Sequence, residues 1–179
     1  VDFTGRRVAI IGTGSSGVQS IPVIAAEADH VTVFQRTPAY AVPAHNQPLD
    51  PAEIERVKAD YANWRTKARE TTTGFGGHLR IDDLGSALDI DDARRAEIYQ
   101  QRWEDGGLTF LGAFTDLLFS PEANETAAEF VREKIAEIVD DPEVAARLSP
   151  DTVIGCKRMC VDTDYYATFN RDNVDLVDV

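Results

Sequence analysis

Cysteine is scarce in this chain: Cys156 and Cys160 are the only two among 179 residues. Two thiols cannot build the disulfide framework of a small secreted domain, so they read as reduced. Basic residues are also few, 18 Lys and Arg against 31 Asp and Glu, which leaves a formal net charge of −13. A surface of that sign repels nucleic acid and anionic lipid, and neither is expected as a partner. No apolar run approaches the ~20 residues that a bilayer span requires, and no signal peptide opens the sequence. A cytoplasmic location is the expectation that follows.

Several chemical motifs are missing as well. No GxxxxGK[ST], GxSxG or HExxH run occurs. His30, His45 and His78 lack metal-ligand spacing, and Cys156 and Cys160 have no companion ligands, so no metal site is expected. Asn124-Glu125-Thr126 fits a glycosylation acceptor, but a cytosolic chain never meets the enzyme that uses it.

What is present fits one domain, or one domain carrying an insertion. At this length folding buries about 70% of the unfolded chain's surface, enough for a core without staples. Hydrophobic content of 43%, with 8 Phe, 5 Tyr and 2 Trp, is that of a globular protein. The acidity is concentrated. Residues 1–49 are neutral, residues 50–150 carry a net charge of −10, and residues 151–179 a net charge of −3. The middle segment therefore reads as a solvated helical insertion.

Helix signals support that reading. Asp50-Pro51-Ala52-Glu53 offers an N-cap, a first-turn proline and a capping-box glutamate, followed by Ile54, Val57, Tyr61, Trp64 and Ala68 along one helical face. Tyr99 and Trp103 precede a stop at Gly106-Gly107. Ser120-Pro121-Glu122 opens a helix with Val131, Ile135 and Ile138 on one side, and Asp141-Pro142 starts a short one that ends at Ser149-Pro150. Aromatics at this spacing are expected in a core. Residues 74–77, though glycine-rich, follow no strand and read as a loop.

The flanks read as sheet. Val8-Ala9-Ile10-Ile11 and Val31-Thr32-Val33-Phe34 are apolar runs suited to buried parallel strands, and Val174-Asp175-Leu176-Val177 is a third candidate. Residues 15–28 are helical in character despite Pro22, which should kink the helix or remove a hydrogen bond. The expected fold class is α/β: a Rossmann-like parallel-sheet dinucleotide-binding domain, residues 1–49 and 151–179, interrupted by the helical insertion 50–150.

Chemistry starts at Gly12-Thr13-Gly14-Ser15-Ser16-Gly17, a GxGxxG that follows a strand and opens a helix. Gly12 permits the tight turn, Gly14 the approach of a pyrophosphate, and Gly17 close packing of helix on strand. The helix N-terminus presents free N–H groups to phosphate, and the Ser15 and Ser16 hydroxyls are further donors. A domain that holds a free ribose 2′-hydroxyl usually places a carboxylate after the second strand. Phe34-Gln35-Arg36-Thr37 stands there instead. Arg36 suits a bidentate grip on a 2′-phosphate and Thr37 can donate a hydroxyl, so the pattern favours NADP(H) and argues against FAD at this fingerprint.

The run FTGRRVAIIGTGSSGVQSIPVIAAEADHVTVFQRTPAYAVP resembles the NADPH-binding segment of the Baeyer–Villiger monooxygenases, the cyclohexanone-monooxygenase-like flavoproteins. The resemblance continues through Lys58-Ala59-Asp60-Tyr61, Pro121-Glu122-Ala123-Asn124-Glu125, Lys157-Arg158, Tyr165-Tyr166 and Phe169-Asn170-Arg171-Asp172-Asn173-Val174. It implies an enzyme that uses FAD, NADPH and O2 to insert oxygen beside a ketone carbonyl, giving an ester or lactone. By the same resemblance, Gly12, Thr13, Gly14, Ser15, Ser16 and Gly17 form the pyrophosphate loop, with Gln19 close to it. Arg36 and Thr37 hold the 2′-phosphate, Lys157 is a second cation on it, and Arg158 is the active-site arginine beside flavin and nicotinamide. If the Lys157-Arg158 pair is extended, its side chains point to opposite sides.

The family's upstream FAD fingerprint, its FxGxxxHxxxW/P run and the second half of its FAD domain do not occur in this sequence. The chain is therefore expected to be a central piece of a larger enzyme and inactive by itself. Rival readings are another flavoprotein monooxygenase of the N-hydroxylating type, or a nucleotide-binding module without catalysis.

Overall fold

The computed structural model describes residues 1–46, 48–70 and 85–179. The expected loop at 74–77 and His78 lie outside the described residues.

Strand β1 (Arg7–Ile11) leads through a tight turn into helix α1 (Ser15–Glu27) and strand β2 (His30–Gln35). At the far end of the chain, β5 (Val174–Asp178) returns to the same sheet. All three strands are parallel, in the order β1-β2-β5. Val8 and Ile10 lie opposite Val31 and Val33, which lie opposite Val174 and Leu176. One face is therefore a continuous apolar band, and α1 packs over it with Val18, Ile21 and Ala25 fully buried. Pro22 sits inside α1 without ending it. It costs one ladder bond, since proline has no N–H to donate to the residue a turn earlier.

A second small sheet pairs β3 (Ala41–Pro43) with β4 (Cys160–Asp162), again in parallel. The excursion between them holds α2 (Pro51–Ala59), α3 (Tyr61–Glu70), α4 (Asp92–Asp105), a 3-10 segment (Gly107–Gly112), α5 (Pro121–Ile138) and α6 (Pro142–Leu148). A single turn, α7 (Tyr165–Thr168), follows β4. Local capping chemistry sets most of these boundaries. The Ser120 hydroxyl accepts from the Ala123 N–H at 3.2 Å, and Asp141 accepts from the Glu143 N–H at 2.8 Å.

The first predicted helix differs. It breaks at Asp60 into α2 and α3, and neither buries a single residue. Its apolar stripe is only half-buried, and Tyr61 is 57% exposed. Arginines cover the aromatic faces instead, Arg56 over Trp64 and Arg65 over Tyr61. Asp50 caps α2 by accepting from the Ala52 N–H, but Glu53 closes no capping box because its carboxylate is taken by Arg56.

The aromatic residues of α4 and α5 are core, as their spacing predicts. Tyr99 lies within 5.5 Å of Phe110, Phe114 and Phe130, stacked on the first and edge-on to the second, and Trp103 packs edge-on to Phe110. This cluster is continuous with the buried residues of α1, β2 and β3. Among the described residues, no helix is long and apolar enough to cross a membrane.

Candidate functional site

The turn after β1 is built by glycine. Gly12 has φ +94, which an L side chain adopts only under strain, and its N–H donates to the Phe34 carbonyl at 2.8 Å. A Cβ on Gly17 would stand 2.4 Å from the Gly12 carbonyl oxygen, so helix and loop meet without room for a methyl group. Gly14 is the N-cap of α1, where no side chain covers the helix end and no acid stands in the first turn. The first helical bond is Val18 N–H to the Gly14 carbonyl. The amides of Ser15, Ser16 and Gly17 thus have no acceptor within the helix, and the end is open to an anion. Ser16 and Gln19 are exposed. Gln19 borders a cleft between α1 and the end of β4, together with Val23, Val161 and Asp162.

Thr13 has a different job. It is 4% exposed, and its hydroxyl donates to the Thr37 carbonyl at 3.3 Å, tying the loop to the segment after β2. The end of β2 alternates as a strand must. Gln35 turns inward, buried, and donates to the Arg147 carbonyl at 2.8 Å and to Asp178 at 3.2 Å. Arg36 turns out to solvent.

Lys157 and Arg158 follow a turn closed by the Cys156 N–H on the Val153 carbonyl, with Gly155 at φ +88. Lys157 lies in a bend and Arg158 just before β4, so neither is in a strand. Both are exposed, and they line one shallow depression with Pro38, Ala39, Tyr40 and Thr152. The small sheet makes that possible: Ala41 lies opposite Cys160, and the Cys160 N–H donates to the Tyr40 carbonyl at 3.0 Å. The Ser15 hydroxyl is 3.4 Å from the Cys160 thiol, joining the start of α1 to the start of β4. The fold thus gathers the glycine loop, the Arg36 segment and the Lys157-Arg158 segment around one strand end. Arg36, Lys157 and Arg158 form no hydrogen bond or ion pair with another described residue. An open helix N-terminus together with cations that have no partner among the described residues can hold a dinucleotide carrying an extra phosphate.

Other functional groups carried little sequence signal. Tyr166, fully enclosed, accepts from the Ala41 N–H and donates to the Ala39 carbonyl, bracketing Tyr40. The Tyr40 hydroxyl lies within 3.1 Å of the Pro150 and Thr152 carbonyls and accepts from Arg132 at 3.2 Å. Asp162, 8% exposed, has its carboxyl pushed up to about 6, chiefly because burial disfavours the charged form, while a Tyr165 N–H opposes that shift. His30 pairs with Asp175 and His45 meets the Trp103 carbonyl. Among the described residues, no cluster of ligands could hold a metal ion. Asn124 is buried on α5, which makes its glycosylation sequon unusable.

No family model matches the sequence. Curated relatives do match. The 2-oxo-Δ3-4,5,5-trimethylcyclopentenylacetyl-CoA monooxygenase of Pseudomonas putida is 39% identical over 181 aligned positions, covering all of this chain and 33% of that protein. A Baeyer–Villiger monooxygenase of Pseudooceanicola batsensis is also 39% identical over 181 positions, covering all of this chain and 32% of that protein. Among solved structures, an oxidized steroid monooxygenase bound to NADP is 50% identical with a TM-score of 0.89, over 99% of this chain and 34% of that one. The chain is therefore homologous along its whole length to part of the Baeyer–Villiger monooxygenases, and it spans about a third of the length of these relatives.

Proposed function

We propose that this chain is the NADP(H)-binding part of an FAD-dependent Baeyer–Villiger monooxygenase, which inserts oxygen beside a ketone carbonyl to give an ester or lactone. The observation that carries this reading is the meeting of the glycine loop, the segment after β2 and the Lys157-Arg158 segment near the start of β4. The residues fit the cofactor: the open N-terminus of α1 suits a pyrophosphate, and cations without a partner among the described residues suit a 2′-phosphate. The NADP-bound steroid monooxygenase, at 50% identity, supports the same choice.

In this reading Gly12, Gly14, Ser15, Ser16 and Gly17 receive the pyrophosphate, and the Thr13 hydroxyl fixes the loop. Gln19 lies along the nucleotide's path. Arg36, Thr37 and Lys157 hold the 2′-phosphate. Residues 1–49 and 151–179 form the nucleotide-binding unit, and 50–150 the insertion that braces it. The chain's one GxGxxG leads to Arg36 rather than a carboxylate, so FAD binds elsewhere in the whole protein and supplies the oxygen chemistry there. The reaction and the chain's net charge fit a cytoplasmic enzyme with no nucleic-acid or membrane partner.

Arg158 is the residue of this chain that meets the reacting atoms. A guanidinium stays protonated at any working pH and offers donors in a fixed plane, so it holds a developing anion without reorganising. In the full-length enzyme, Arg158→Ala should lower ketone oxygenation by ~10²–10³, the usual loss for one preorganised donor, and Arg158→Lys should not restore it. NADP+ affinity should stay within a few-fold. Normal ester formation with lost NADP+ binding would make Arg158 a phosphate ligand instead.

A further inference from the structure

We propose that Asn124, on α5 of the insertion, is a positioning residue that sets the Lys157-Arg158 loop for the nucleotide's 2′-phosphate. The proposal rests on the reading that Lys157 touches that phosphate.

Lys157 and Arg158 bond to no other described residue, so the backbone on either side must place them. Downstream, that anchor is the Cys160 N–H on Tyr40. Upstream, it is Asn124. Its side-chain amide, 4% exposed, donates to the Ile154 carbonyl at 2.8 Å and to the Leu117 carbonyl at 2.7 Å. Its carbonyl accepts from the Ile154 N–H at 3.1 Å. One side chain thus satisfies both backbone groups of Ile154, as a neighbouring strand would, and fixes that peptide's orientation. Ile154 is itself fully buried. Gly155 follows at φ +88, a backbone conformation that favours glycine. Lys157 is two residues further on.

The same helix holds the loop a second time. Arg132 lies two turns from Asn124 and donates to the Tyr40 hydroxyl at 3.2 Å and the Pro150 carbonyl at 3.4 Å, while pairing with Glu125. Bonds to Ile154 and Pro150 four residues apart leave the intervening stretch little freedom. The acidic insertion acts, through α5, as the brace for a cationic loop of the nucleotide-binding unit.

Asn124→Asp keeps size and acceptor but loses both donors, turning a carboxylate toward two buried carbonyls. Calorimetric titration of this chain with NADP+ and NAD+ gives the ratio of the two affinities. The wild-type ratio should exceed tenfold, and Asn124→Asp should lower it several-fold by weakening NADP+ alone. On a Lys157→Ala background the same substitution should leave the ratio unmoved, because its effect passes through Lys157. A role confined to stability would lower the melting temperature and leave the ratio at its wild-type value, which would overturn the proposal. A wild-type ratio near one would overturn the phosphate reading beneath it. If Asn124→Asp does not fold, Arg132→Gln at the half-exposed second anchor must lower the ratio instead; an unchanged ratio there overturns the brace.

Discussion

Gly17 lies so close to Gly12 that a Cβ on it would stand 2.4 Å from the Gly12 carbonyl oxygen. Alanine normally stabilises a helical position by about 1 kcal/mol over glycine. Here the sign reverses, because the obstacle is backbone and cannot rotate away. Gly17→Ala should lower the melting temperature followed by circular dichroism and weaken NADP+ binding at least tenfold. A melting point and affinity equal to wild type would show that the loop does not need this contact.

The buried Asp162 carboxyl makes stability depend on pH in an unusual direction. Its native value of about 6 lies above the ordinary 3.8, so the folded state holds the proton more tightly than the unfolded state. Its contribution is fully present below about pH 4 and is lost as pH rises through about 6. Asp162→Asn keeps an acceptor for the Tyr165 N–H and carries no charge. By urea unfolding it should gain about 2–3 kcal/mol over wild type at pH 8, and the gap should narrow by pH 4.5. A constant difference across that range would place the cost elsewhere than in ionisation.

Flavin gives a test that needs no substitution. With one GxGxxG, followed by Arg36, the purified chain should be colourless. A visible flavin band that survives desalting would mean that this fingerprint binds FAD after all.

Much of this architecture is legible in the residues because it is local. The apolar runs of β1, β2 and β5, the N-caps Ser120 and Asp141, and the glycine turn each depend on a few adjacent positions. The small β3–β4 sheet escapes such reading. Each strand has three residues, too few for a period, and Ala41 and Cys160 pair although they lie far apart in the chain. The stripe from Ile54 to Ala68 has helical spacing, yet none of its residues is fully buried, so periodicity alone overstates its burial. At the site, Arg36 is visible because it replaces a carboxylate at a known place in the motif. Nothing in the sequence marks Thr13 as buried, or Gln35 as bound to Arg147 and Asp178, because those bonds depend on alternation and on elements far along the chain. Asn124 is hidden for the same reason: a lone amide becomes informative only when both groups of Ile154 face it.

In the proposed function, Arg36 and Lys157 select a nucleotide by its 2′-phosphate. Each charge-assisted contact contributes about 1.5–3 kcal/mol, or roughly tenfold or more in affinity. Isothermal titration of the chain with NADP+ and NAD+, repeated for Arg36→Ala, measures this directly. NADP+ should bind at least tenfold tighter than NAD+, with Arg36→Ala losing most of that preference and leaving NAD+ affinity unchanged. Equal affinities in the wild type, or a preference that survives Arg36→Ala intact, would contradict it.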